Sequence, residues 1–123
     1  MQLTTQHFCR LCSEGGSCKE RPGGAGAADA DFILYVKAVR TPSCLGSALA
    51  YAHFCQRDVD AWYGTRNRPL AGYINFCPDA VPADAADAPR LVDIAVHEIL
   101  HTLFFAPDHF EAFVDVNGAP YAG

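Results

Sequence analysis

The sequence has few basic side chains and no long apolar run. Its 123 residues include 9 Lys and Arg against 14 Asp and Glu, which gives a formal net charge of −5. Lys and Arg do not cluster anywhere, so we expect neither nucleic acid nor an anionic membrane surface as a partner. The apolar stretches are all far shorter than the ~20 residues that a membrane-spanning helix needs. We therefore expect no transmembrane segment in this chain.

The N-terminus lacks the basic and apolar regions of a secretory signal peptide, yet the cysteine content is typical of an oxidising compartment. The cysteines are Cys9, Cys12, Cys18, Cys44, Cys55 and Cys77. An even number suits a set of disulfides, although their pairing cannot be read from the sequence. A zinc site on Cys9-x-x-Cys12 is the less favoured alternative, because no second close pair accompanies it. Disulfides without a signal peptide indicate that the chain is a fragment.

The length and the 50% apolar content predict one folded domain. Residues 1–30 are rich in Cys and Gly and have no apolar period, so we expect an irregular N-terminal segment there. Residues 31–123 are expected to form the folded body. Within that body, three stretches have the composition of β-strands: Asp31–Val39, Ser47–Gln56 and Leu70–Phe76.

Each predicted strand carries a further expectation. Phe32–Val36 is almost continuously apolar, which favours a central strand with both faces covered. The Ala-rich start of the second stretch, 47–52, is also compatible with a short helix. If the third strand lies along a cleft, Gly72 and Tyr73 are candidate substrate-binding residues that would hold an extended peptide by edge pairing. Gly72 would permit close backbone approach, and a simple bulge is the alternative reading.

The strongest motif is H-E-x-x-H within Val96–Leu103. Asp87-Ala88-Pro89 predicts the start of a buried helix, with Asp87 as its capping carboxylate, and Ala106-Pro107-Asp108 predicts the stop. Residues four apart share one face of a helix, so His97 and His101 would direct two imidazoles at one divalent metal ion. Glu98 flanks that face, where it can act as a general base without being a ligand. The alternative is an amphipathic helix whose histidines are merely hydrogen-bonded.

Three stretches in this order resemble the leishmanolysin family of zinc metalloproteases, a branch of the metzincins. They are Ala30–Val36, Arg68–Pro78 and Val96–Leu103. The resemblance implies an α+β fold, namely the N-terminal catalytic subdomain of a metzincin, with a twisted mixed sheet packed on a long active-site helix. It implies Zn²⁺ held by His97 and His101, Glu98 as general base, and peptide or protein substrates. It also implies an extracellular or cell-surface location, with the cysteines at 44, 55 and 77 in disulfides.

The chain also departs from the metzincin pattern. Metzincins continue the motif as H-E-x-x-H-x-x-G-x-x-H and add a methionine turn, whereas here Phe104 and Pro107 stand at the Gly and His positions and Met1 is the only methionine. The third zinc ligand is therefore absent from the chain, or it is His109. The carboxylate candidates for that ligand are Asp108, Glu111 and Asp115. An ordinary helix-ending loop at 107–109 is favoured over a metal-binding one.

The sequence therefore predicts a zinc-dependent metalloendopeptidase that is present as an incomplete catalytic fragment. In its mechanism Glu98 takes a proton from the attacking water and passes it to the leaving amine. The alternative is a catalytically inactive, disulfide-stapled remnant that acts as a binding or structural module. A purely structural zinc module is disfavoured, because no cysteine follows Cys77.

Overall fold

A computed structural model describes residues 27–57, 68–81, 84–110 and 113–121. Most of the predicted irregular segment, residues 1–26, lies outside the described residues. The β-strands are β1 (Ile33–Lys37), β2 (Ala50–Arg57) and β3 (Pro69–Phe76), and the α-helices are α1 (Ala88–Leu103) and α2 (Pro107–Phe110). Two short 3-10 helices cover Pro42–Cys44 and Ala85–Asp87. The predicted α+β class is confirmed.

The three strands form one mixed sheet in the order β1-β3-β2. β1 runs parallel to β3, with Ile33 opposite Ala71, and β2 runs antiparallel to it, with Ala50 opposite Phe76. The expectation that the first strand is central is wrong for the described part of the chain. There β1 forms an edge where Val36 is 62% exposed, while Ile74 of β3 is 1% exposed. A continuous apolar run does not reveal which strands will pair on both sides.

The second predicted strand forms with small corrections. Its regular pairing begins at Ala50 rather than Ser47, and no helix forms at 47–52. The register with β3 shifts between Phe54 and Arg57, because Phe54 pairs with Gly72 while Gln56 pairs with the adjacent residue, Ala71. A bulge therefore bends the end of β2.

Helix α1, which carries the H-E-x-x-H motif, packs across β2 and β3. It begins at Ala88 with Pro89 in its first turn, as predicted, but Asp87 makes no side-chain capping hydrogen bond. Instead, the Asp84 carboxylate accepts a hydrogen bond from the Ala86 N–H in the turn before the helix. The expectation that this helix is buried is also wrong for one of its faces. Thr102 is its one buried residue, and the outer face is exposed at Val92 and Val96.

Gly72 lies where α1 comes closest to the sheet. A Cβ atom at this position would lie 2.9 Å from the Thr102 Cβ, 2.9 Å from the Phe32 Cζ and 3.0 Å from the His53 carbonyl oxygen. The close neighbours of Gly72 thus come from α1, β2 and Phe32. Among the described residues β3 pairs with β1 on one side and β2 on the other, which leaves it no free edge. Substrate binding by Gly72 and Tyr73 stays a prediction.

A disulfide joins Cys44 and Cys77, which are 33 residues apart in the chain. It ties the turn after β1 to the end of β3. Cys55 is disulfide-bonded as well. The expectation that cysteines 44, 55 and 77 form disulfides is therefore confirmed. None of the helices in the described ranges is long and apolar enough to cross a membrane.

Candidate metal centre

His97 and His101 direct their imidazoles at a common point beside α1. Their Nε2 atoms lie 3.1 Å apart, and their ring planes are nearly perpendicular, at 81°. Two nitrogen ligands on a tetrahedral zinc ion, each about 2.05 Å from the metal, lie about 3.3 Å apart. The observed separation is close to that value, so the pair fits two positions of a zinc site. The predicted helical spacing thus brings these two side chains together.

A backbone carbonyl orients the second of these histidines. The Nδ1 atom of His101 lies within hydrogen-bond distance of the Phe105 carbonyl oxygen. Because a carbonyl can only accept a hydrogen bond, Nδ1 carries the proton and the Nε2 lone pair is left for a metal ion. This is the arrangement that metal-binding histidines commonly use to fix ring orientation and tautomer.

The way α1 ends makes the Phe105 carbonyl available. The N–H groups of Phe104 and Phe105 both donate to the Leu100 carbonyl oxygen, at 3.0 Å and 2.9 Å. Phe104 has φ −163°, which is extended backbone that any residue adopts. No left-handed residue is needed to end the helix here. The Phe at the position of the metzincin glycine is therefore compatible with the observed turn.

Glu98 follows the first ligand candidate on the same helix and is half-buried. Within the described ranges the Glu98 carboxylate makes no hydrogen bond. The neighbouring imidazoles instead contact each other through their Nε2 atoms. A carboxylate placed beside, rather than on, the two-histidine face can accept a proton without displacing a ligand. This placement agrees with the general-base role that the motif predicts.

His109 lies in α2, and in the described part of the chain it forms no metal-binding group with the two converging imidazoles. It is 2% exposed, and its ring lies 4.3 Å from the Phe54 ring centre to centre. The Nε2 atom of its imidazole is buried and has no hydrogen-bond partner among the described residues. Burial lowers the pKa of His109 below its usual 6.5, and the Arg57 guanidinium lowers it further.

A third metal ligand is not found in the described part of the chain. There, no group of three His, Cys, Asp or Glu side chains is arranged to hold a metal ion. Asp108 lies 3.7 Å from His53 instead, and Asp115 accepts hydrogen bonds from the N–H groups of Asn117 and Ala119. Glu111 lies outside the described residues. The described residues therefore supply two of the ligands that one zinc ion needs.

Two features of the centre were not foreseen from the sequence. The first is the Phe105 carbonyl, for which the sequence holds no signal because every residue carries one. The second is the burial of His109 against Phe54, which the flanking residues Asp108 and Phe110 do not signal. The rings of Tyr73 and Tyr51 meet edge to face, with their centres 6.2 Å apart. Burial raises the pKa of Tyr73, and the nearby Tyr51 raises it further.

A mixed sheet that supports a helix with two convergent histidines and an adjacent glutamate is the arrangement of an H-E-x-x-H metallopeptidase. Comparison with protein families agrees with this class. Residues 3–119 match the family model described as leishmanolysin, peptidase family M8. The chain belongs to the leishmanolysin family.

Relatives from several animals show similar agreement. The chain is 38% identical to the ciliated left-right organizer metallopeptidase of Xenopus laevis over 80% of its length and 13% of that protein. It is 33% identical to a leishmanolysin-like peptidase of Drosophila pseudoobscura pseudoobscura and 38% identical to one of Caenorhabditis elegans. These matches cover 98% and 91% of the chain, and 18% and 16% of the relatives. The chain thus spans less than a fifth of each relative. No solved structure matches it.

Proposed function

We propose that this chain carries the motif-bearing part of a zinc-dependent metalloendopeptidase. His97 and His101 are two of the zinc ligands, and Glu98 is the general base. The observation that carries the proposal is the 3.1 Å separation of the two Nε2 atoms, with the His101 tautomer set by the Phe105 carbonyl. Membership of a metallopeptidase family supports it further.

The chain's own residues divide the chemistry between them. Zinc, when bound, would supply a Lewis acid that makes water acidic near neutral pH and polarises the scissile carbonyl. His97 and His101 supply neutral nitrogen donors, and the Phe105 carbonyl keeps the His101 proton on Nδ1. The Glu98 carboxylate takes the proton of the attacking water and then delivers it to the leaving amine.

A catalytic zinc site takes three protein ligands and keeps the fourth position for water. We infer that the third ligand comes from outside the described residues. The span of the chain, less than a fifth of each relative, supports its being one part of a larger metzincin-like catalytic domain. Its substrates on this proposal are peptides or proteins. The disulfides support an oxidising, extracellular or cell-surface place of action.

A second candidate is an inactive, disulfide-stapled module that binds a partner. The finding that favours it is the presence of two ligand candidates, rather than three, among the described residues. The two candidates differ in whether the histidine pair binds metal at all. The 3.1 Å separation is also a hydrogen-bond distance, so measured zinc binding, and not the separation alone, distinguishes the two candidates.

Zinc titration of the full chain tests the proposal. We expect one zinc ion per chain, and about tenfold or greater loss of affinity in His97→Ala and in His101→Ala, since each removes one of two donors. His53→Ala is the matched control, because His53 is a half-exposed histidine of β2 that lies outside the pair. Equal zinc affinity in the wild type and in the double His97→Ala/His101→Ala variant would refute the metal centre.

A further inference from the structure

Two aromatic side chains are exposed in the turn that ends α1, and the proposed chemistry uses neither ring. Phe104 is 39% exposed and Phe105 is 55% exposed. Their rings contact each other, with centres 4.9 Å apart and planes tilted by 49°. Single exposed apolar side chains need no explanation, so what matters about this aromatic pair is its position.

The aromatic pair is tied to the second metal-ligand candidate. The Phe105 carbonyl oxygen lies within hydrogen-bond distance of His101 Nδ1, and it belongs to the same residue as the more exposed ring. The N–H groups of Phe104 and Phe105 both donate to the Leu100 carbonyl oxygen. The backbone of the pair is therefore fixed beside the His101 imidazole, and it cannot move away without breaking these hydrogen bonds.

Position 104 is also where this chain departs from the metzincin pattern. That pattern has glycine three residues after the second histidine, whereas this chain has Phe104. Its φ of −163° suits any residue, so the backbone alone does not account for the choice of side chain. Phe104 adds an apolar surface beside the motif that a glycine at the same position does not provide.

A peptide cleaved at the His97–His101 pair has side chains within reach of this surface. An extended peptide advances by about 3.3–3.6 Å per residue, so the residues that flank the scissile bond stay close to the two imidazoles. Two phenyl rings favour the burial of apolar area. They offer no charge or hydrogen bond to a charged side chain that must lose its water. The surface therefore favours a large apolar side chain.

We propose that Phe104 and Phe105 form a subsite for a large apolar side chain of the peptide substrate, next to the scissile bond. Phe104 is the specificity-determining residue, because it supplies the ring that the metzincin pattern lacks. This inference rests on the proposed function, since it places the peptide at His97 and His101. The occupant is a side chain of the size of leucine or phenylalanine.

Probe titration of the metal-free full chain tests the subsite without catalysis. The probes are the N-acetyl amides of leucine, phenylalanine and alanine, and the readout is the NMR signals of ¹³C-labelled phenylalanine rings. We expect the leucine and phenylalanine probes to give saturable shifts at Phe104 and Phe105, with dissociation constants on the order of 1–10 mM. The alanine probe should bind several-fold more weakly.

A matched set of variants assigns the effect to Phe104. Phe104→Ala removes the ring, whereas Phe104→Leu keeps an apolar side chain of similar reach. Phe110→Ala is the control, because Phe110 is 47% exposed and its ring contacts Phe113, with centres 5.7 Å apart, so it belongs to a second exposed aromatic pair. We expect leucine-probe binding to weaken by about tenfold in Phe104→Ala, by less in Phe104→Leu, and not in Phe110→Ala.

Peptide cleavage is the second readout, in the zinc-loaded larger catalytic domain that contains this chain. We compare kcat/KM for substrates with leucine or alanine beside the scissile bond. Phe104→Ala should lower the preference for leucine by about tenfold, with cleavage of the alanine substrate nearly unchanged. An equal loss for both substrates would give Phe104 no role in specificity.

Three results in the wild-type chain overturn the proposal and need no variant to fold. The first is the absence of saturable shifts at Phe104 and Phe105. The second is ring shifts that follow protein concentration instead of probe concentration, which would make the pair a contact between copies. The third is protection of both rings from a soluble paramagnetic agent in the larger domain, which would show that another part covers them. A chain that binds no zinc refutes the proposed function, and the probe titration still decides whether the pair accepts an apolar side chain.

Discussion

Gly72 of β3 and Thr102 of α1 lie so close together that no side chain fits on the strand between them. The Thr102 Cβ would be 2.9 Å from a Cβ added at Gly72, and Thr102 itself is fully buried. Thr102 also directly follows His101 in the chain. The absence of a side chain at Gly72 therefore determines how closely the turn of α1 that carries His101 sits on the sheet.

Gly72→Ala tests this contact. The new Cβ would meet the Thr102 Cβ and the His53 carbonyl oxygen, which belong to regular elements that cannot move independently. We expect a loss of about 1–3 kcal/mol in the free energy of unfolding, as for other overpacked cores, measured by urea denaturation. Adding Phe32→Leu should recover only part of it, because that change relieves one of the three contacts. An unchanged unfolding midpoint in Gly72→Ala would contradict the packing described here.

Beyond the end of β1, the side chain of Asn75 takes the place of a backbone hydrogen-bonding partner. Its side chain is fully buried; Oδ1 accepts a hydrogen bond from the Val39 N–H at 3.0 Å, and Nδ2 donates to the Val39 carbonyl oxygen at 2.9 Å. These two bonds continue the β1–β3 ladder beyond the last pair, Lys37 with Asn75. One amide side chain thus satisfies both polar groups of Val39.

Asn75→Leu should therefore destabilise the chain strongly. The substitution removes two hydrogen bonds from a fully buried side chain to the partly exposed Val39 backbone, and a hydrogen bond contributes about 0.5–1.5 kcal/mol. We expect a total loss of about 1–3 kcal/mol in the free energy of unfolding from denaturant titration. Asn117→Leu, at an exposed turn, is the control and should change stability by less than about 0.5 kcal/mol. Similar effects at both positions would argue against the backbone-like role of Asn75.

The sequence predicted the elements better than their arrangement. Helix α1 was located to within a few residues, because the signals that start and end it, Pro89 and Pro107, are local. The three strands were also found from their composition. The strand order was not, because Phe32–Val36 and Leu70–Phe76 are both apolar runs and pairing depends on residues far apart in the chain. The pairing of Cys44 with Cys77 could not be read for the same reason.

The residues of the candidate site also differ in how far the sequence predicts their positions. His97, Glu98 and His101 follow from one helical repeat, so their juxtaposition could be predicted from spacing alone. The Phe105 carbonyl and the position of His109 depend on how the chain turns after α1, which the sequence does not specify. Asn75 did carry a signal, since a polar residue in an apolar strand indicates a buried hydrogen bond.

The pair Arg40–Asp79 gives a prediction of pH dependence. Nε and Nη2 of Arg40 donate to the two carboxylate oxygens of Asp79, each at 2.6 Å, and this hydrogen bonding holds the pKa of Asp79 below its usual 3.8. Because the pKa of Asp79 is lower in the folded chain than in the unfolded one, its ionised carboxylate stabilises the fold above pH 3.8. This contribution is lost as the pH falls through the pKa of the folded state. Both side chains are exposed, so the contribution is small.

NMR titration of the Asp79 carboxyl carbon measures this directly. We expect a midpoint below 3.8 in the wild type and a rise toward 3.8 in Arg40→Gln. Arg68→Gln is the control, because Arg68 donates to the Asp31 carbonyl oxygen; it should leave the Asp79 midpoint unchanged. A midpoint that does not move in Arg40→Gln would exclude this ion pair as the cause.

Glu98→Gln separates proton transfer from metal binding. The amide has nearly the shape of the carboxylate but cannot take a proton, so the His97–His101 pair should keep its zinc affinity within a few-fold. Peptide hydrolysis should fall by about 10²–10⁴-fold, the usual contribution of a general base. The matched control is Asp93→Asn, the same carboxylate-to-amide change at an exposed position of α1, which should leave both quantities unchanged. Zinc titration, and cleavage of a fluorogenic peptide by the zinc-loaded larger catalytic domain that contains this chain, give the two measurements. Native zinc affinity with undiminished hydrolysis in Glu98→Gln would assign the base to another group, whereas loss of zinc would make Glu98 a ligand.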